Sequence, residues 1–197
     1  MSEKFTNKQM DILKELINIG GGNAATSISQ LLNTRVQMNV PTIKEMNYQE
    51  VFTYIMPAEL VVKAVLIRIT GNLEGVFLFV IDTEESQSLI DKLLQNYAGK
   101  KELGDSAICE LVNILVHNYL NAISTFGDQN YYSSVPFIVE DMFGALLSSA
   151  YLEEGQYEEE FYIIKNEFLM NGNKLESSLY FIPKVGILEK FITQMTI

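Results

Sequence analysis

Apolar residues at Phe5, Met10, Leu13 and Ile17 recur at helical spacing, so the chain opens on an amphipathic helix capped by Thr6 or Asn7. Gly20-Gly21-Gly22 interrupts the pattern, since each glycine costs a helix interior about 1 kcal/mol relative to alanine. A second helix is predicted from its cap at Asn23 through Asn33, with Ala24, Ala25, Ile28, Leu31 and Leu32 facing inward. Val36 to Val40 alternates and reads as a strand ending at Pro41. Strand patterns follow at Val51–Met56, Val61–Ile69 and Leu73–Ile81, the last two joined by a Thr70-Gly71-Asn72 turn. Asp82 or Thr83 then caps a helix over Glu84–Tyr97.

The second half repeats this order. Asp105–Phe126 is helical, Tyr131–Val139 is a strand around Pro136, and Phe143–Leu152 and Tyr157–Met170 read as strands. Asn171-Gly172-Asn173 is the turn into the strand Leu175–Ile182, and a closing helix runs from Val185 to Met195. Late in the repeat the offset between halves grows from 95 to about 102, which places seven extra residues in a loop around Tyr151 to Tyr157. Each half then has a helical front and about four strands, too few to cover their own sheet. Two such halves either share a sheet or pack their helices together. The expectation is one α+β domain over residues 1–197, with halves of about 1–99 and 100–197 related by a pseudo-twofold axis. Its strands are mostly antiparallel.

The repeat extends to sparse polar residues. Asp11, Glu15, Asn18 and Pro41 recur as Ser106, Glu110, Asn113 and Pro136, each 95 residues on. Residues three and four apart share a helix face, so Asp11, Glu15 and Asn18 form a polar stripe opposite Leu13, Leu16 and Ile17. Ser106, Glu110 and Asn113 repeat the stripe opposite Ile108, Leu111 and Val112. A wet helix face explains one copy; two copies in register point to a retained site.

Composition narrows the chemistry. The 197 residues are 48% apolar and 20% charged, those of an ordinary globular protein. A formal charge of −11 without basic clusters argues against nucleic acid. No apolar run is long enough for a membrane helix. The N-terminus lacks a signal-peptide layout, and the single cysteine, Cys109, fits a reducing compartment, so the cytoplasm is expected. A nucleophile with its base is missing, and one carboxylate with one amide makes a thin metal site. An amide both donates and accepts hydrogen bonds, which suits it to hold a water in line with a phosphoryl group. The metal ion would then belong to the partner.

The doubled motif resembles the CheC family of chemotaxis phosphatases. Glu15-Leu16-Ile17-Asn18-Ile19-Gly20-Gly21-Gly22-Asn23-Ala24-Ala25-Thr26 is similar to the family's first signature, and Cys109-Glu110-Leu111-Val112-Asn113-Ile114-Leu115 with Tyr119-Leu120 to its second. The resemblance implies a phosphatase acting on the aspartyl-phosphate of a CheY-like response regulator, with magnesium on the regulator and no cofactor of its own. It implies that Asn18 and Asn113 orient the attacking water while Glu15 and Glu110 contact the regulator's lysine. Asp11 and Ser106 either support the neighbouring Glu and the docked partner or are plain surface residues, and Pro41 and Pro136 are structural. A CheD-like deamidase is a further partner the family implies. A non-catalytic module binding such a deamidase or the flagellar switch is the rival reading.

The second copy departs from the family pattern. Val116-His117 stands where relatives have a small residue, and Val112 replaces a frequent glycine, as Ile17 does in the first copy. A bulky side chain there either blocks the regulator or repacks the helix. Gly22 at the equivalent place argues against a catalytic His117.

Overall fold

In a computed structural model the described residues are 5–94, 101–125, 130–153 and 160–195. The first half folds as α1 (Asn7–Leu32), β1 (Val36–Met38), β2 (Thr42–Asn47), α2 (Tyr48–Tyr54), β3 (Val61–Gly71), β4 (Gly75–Asp82) and α3 (Thr83–Leu93). After a 3-10 turn at Lys101–Leu103 the same order returns. It runs α4 (Gly104–Ser124), β5 (Tyr131–Ser133), β6 (Phe137–Met142), α5 (Phe143–Glu153), β7 (Glu160–Met170), β8 (Asn173–Pro183) and α6 (Ile187–Met195).

All strands join one antiparallel sheet in the order β1-β7-β8-β4-β3-β5, with β2 also on β7 and β6 also on β3. The halves therefore exchange strands: β1 and β2 of the first pair with the second, and β5 and β6 of the second pair with the first. The registers correspond, because Thr42 opposite Lys165 mirrors Phe137 opposite Leu66. A twofold relation between the halves, passing through the β4–β8 pair, produces this exchange. Sharing the sheet and packing the helices are both realised.

Alternation on the central strands assigns the two faces. Val65, Ile67 and Ile69 of β3 and Phe77, Phe79 and Ile81 of β4 pack under α1, α3, α4 and α6. Val62, Ala64, Leu78 and Val80 pack on the other face against Val51 of α2 and Leu146 and Leu147 of α5. β4 is buried on both faces, so its sequence is continuously apolar.

Several expectations need correction. α1 is a single unbroken helix through Gly20-Gly21-Gly22, and Asn23 caps nothing. A Cβ at Gly20 would sit 2.7 Å from Cδ1 of Tyr119, and Gly21 faces Met38 and Tyr119, so helix contact offsets the glycine cost. Residues 51–56, read as a strand, belong to α2 and its exit, and Phe143–Leu152 is helical in α5. β2 was not anticipated. The seven-residue insertion is divided. Residues 42 and 137 lie 95 apart while their partners 66 and 165 lie 99 apart, so four extra residues precede β7. Val65 opposite Phe79 corresponds to Ile164 opposite Phe181, so the offset is 99 on β7 and reaches 102 only beyond the β7–β8 hairpin with its irregularity between Glu167 and Leu169. The stretch 154–159, where the loop was expected, lies outside the described residues.

Candidate functional site

Thr6 caps α1 through a capping box with Gln9, so the helix begins one turn before the first polar position. Leu13, Leu16, Ile17, Ala24 and Ile28 then fix its rotation by facing the core. This leaves Asp11, Glu15 and Asn18 exposed on the opposite side. Ile108, Leu111, Val112 and Leu115 orient α4 the same way, with Ser106 and Glu110 exposed and Asn113 half-buried. The N-terminus of α4 has no side-chain cap, and Lys63 of β3 holds its first turn through a 2.7 Å ion pair with Asp105. α1 and α4 pack against each other in one core. Among the described residues, none offers a hydrogen bond or ion pair to the side chains of Glu15, Asn18, Glu110 or Asn113. Each helix thus presents a carboxylate and, one turn on, an amide, both free for an outside ligand.

The prolines lie off these helices. Pro41 falls between β1 and β2 and Pro136 between β5 and β6, on the two edges of the sheet. From Met38 to Thr42 the edge advances four residues while β7 opposite advances three, from Phe168 to Lys165. Ser133 to Phe137 against Ile69 to Leu66 repeats this bulge. A proline, lacking a donor, fits such an edge bulge. Each connection runs beside its own helix, since Met38 abuts Gly21 and Ser133 lies by His117. Sequence reading missed that the residues before both prolines repeat as well: Val40 is 79% exposed and Val135 85%. The doublets Val40-Pro41 and Val135-Pro136 at one offset were the available signal.

Around the second amide the bulky residues separate. Val112 and Val116 are fully buried, so they repack the helix and do not face a partner. His117 is exposed, with Nδ1 2.8 Å from the Asn113 carbonyl oxygen and Nε2 3.4 Å from Ser133 Oγ. Cys109 is half-buried beside Glu110, and burial followed by the Asp105 charge pushes its thiol up. That shift disfavours the thiolate, the nucleophilic form. The Tyr119 phenol is also raised by burial, and it donates to Met38 Sδ at 2.9 Å.

Two equivalent acid–amide faces on one strand-exchanged sheet can be set beside known proteins. Residues 9–45 match the model of the CheC-like family. The chain is 30% identical to the CheY-P phosphatase CheC of Bacillus subtilis (strain 168), over 95% of this chain and 94% of that protein. The chain belongs to the CheC family. Thermotoga maritima FliY shares the fold with a TM-score of 0.75 at 19% identity, over 98% of each chain. The CheX–CheY–BeF3–Mg2+ complex of Borrelia burgdorferi gives a TM-score of 0.56 at 15% identity, over 85% of this chain and 99% of that one. Among the described residues no helix is long and apolar enough to cross a membrane.

Proposed function

We propose that this protein is a phosphatase of chemotaxis signalling that hydrolyses the aspartyl-phosphate of a CheY-like response regulator. The observation that carries the reading is the pair of Glu–Asn faces on equivalent helices, unpartnered among the described residues, with Glu15, Asn18 and Glu110 exposed and Asn113 half-buried. The 30% identity to a CheY-P phosphatase supports it. Asn18 or Asn113 holds a water between its carbonyl oxygen and amide, in line with the phosphorus. The water attacks, the bond from phosphorus to the aspartyl oxygen breaks, and inorganic phosphate leaves with the regulator's carboxylate restored. Placing the water takes no titrating group, and positioning alone supplies several kcal/mol. Glu15 or Glu110 pairs with a lysine of the regulator and sets its angle of approach. Magnesium enters as part of the regulator, and the exposed helix faces fit a macromolecular substrate.

The test is the lifetime of a phosphorylated CheY-like receiver with substoichiometric protein. Wild type shortens it with turnover. Glu15→Ala/Asn18→Ala and Glu110→Ala/Asn113→Ala each retain part of the rate, and the quadruple variant loses it, by roughly 100-fold or more if positioning carries catalysis. No acceleration by folded wild type on any available receiver would leave the module that binds a deamidase or the flagellar switch.

A further inference from the structure

Apart from the exchange of Asp11 for Ser106 before the acid, the two sites differ in the exposed side chain one turn beyond the amide, and the meaning of that difference rests on the phosphatase reading of both. One turn beyond the amide the first site has Gly22 and the second has His117, 95 residues on. A Cβ built at Gly22 meets nothing within 4 Å, so the approach to Asn18 over that turn is open. At the second site the imidazole leans back along α4 toward the preceding turn, as helical side chains do. With Nδ1 donating to the Asn113 carbonyl, Nε2 is left to accept from the Ser133 hydroxyl. Both nitrogens are then engaged, and the ring spans α4 to β5 as a fixed wall. Swinging aside forfeits both hydrogen bonds. Asn18 is exposed whereas Asn113 is half-buried, in keeping with this cover. The neighbouring replacements do not compete as causes, because Val112 and Val116 are buried.

We propose that His117 is a specificity-determining residue of the second site, restricting which phosphorylated receivers reach Asn113. The first site, with Gly22, admits a wider range. A receiver whose surface facing this turn carries small residues passes the wall; one with a bulky side chain there is served by the first site alone.

The sites are isolated in single-site backgrounds. In Glu15→Ala/Asn18→Ala, His117→Ala is expected to lower KM for the phosphorylated receiver roughly three- to tenfold with kcat unchanged, since access alone is altered. Ser133→Ala, which frees the ring, shifts KM the same way by less. In Glu110→Ala/Asn113→Ala, Gly22→His raises KM at the first site. The Kd of a receiver held active with beryllofluoride and magnesium, titrated into the same variants, should follow KM. A KM and Kd unmoved by His117→Ala for receivers with small and with bulky residues facing this turn alike, or a fall in kcat instead, overturns the assignment. No turnover by wild type overturns the phosphatase reading, and the Kd series then decides the wall by itself.

Discussion

Gly20 and Tyr119 share one contact, and the residues equivalent to them are of different size. At the constant offset of 95, Tyr119 corresponds to Ala24 and Gly20 to Leu115. α4 carries the larger residue of both pairs, Tyr119 and Leu115, and both Ala24 and Leu115 are fully buried. The helix pair is thus asymmetric in its packing while its polar faces match. Local propensity read the three glycines as a break because it carries no information about the Tyr119 ring above them. Gly20→Ala, with its Cβ 2.7 Å from Tyr119 Cδ1 and 3.2 Å from the Tyr119 Cα, should destabilise the fold by about 1–3 kcal/mol through overpacking. Gly22→Ala meets open space and should stabilise it by about 1 kcal/mol through helix propensity. Urea unfolding of the two variants checks the opposite signs. The acid and amide positions were legible from spacing, since one helix face follows from a period of 3.6. The distinction between Val116, buried, and its neighbour His117, exposed, was not, because it depends on where α4 meets the core.

At the scale of elements, the long strands and helices were readable and the short ones were not. β3 and β4 announce themselves by length and β-branched content and β8 by its Leu179-Tyr180-Phe181-Ile182 run, and Asn171-Gly172 forms the hairpin turn with φ of 52° and 82°. α2 and α5 are short apolar runs, which periodicity cannot separate from buried strands. A start signal was present: Asn47 and Glu50 form a capping box at α2, with Asn47 Oδ1 accepting from the Glu50 backbone at 2.9 Å. The internal repeat then carries the helical reading to α5, whose Ser148 hydroxyl meets the Tyr48 hydroxyl across the face. Asn47→Ala should cost about 1 kcal/mol, the usual loss for an N-cap, and the change in the urea midpoint measures it. A seven-residue helix that kept its stability without the cap would owe its form to Val51 and the β2 connection alone.

On the scale of the whole molecule, the strand exchange decides what can fold. Alternation tells which face a strand buries but not which strand it pairs with, so a shared sheet was legible only as one of two arrangements and the crossing of β1 and β2 to β7 was not. A chain of residues 1–99 alone would keep only the β3–β4 hairpin paired within itself. Its β1 and β2 would lose β7, and β3 and β4 would expose the edges that carry β6 and β8. An isolated hairpin is marginal in water, and Leu13, Leu16 and Ile17 would face solvent where α4 had been. No folded monomer is expected. Two copies can satisfy each other's edges, with a true twofold replacing the internal one, so any folded species should be a dimer. That dimer would be weak, because Gly20 would meet Ala24 where Tyr119 now fills the gap, leaving a void. Size exclusion and thermal unfolding of 1–99 against the full chain test this. A cooperatively melting monomer would mean that each half holds its own sheet, and that the exchange is an embellishment of the fold instead of its basis.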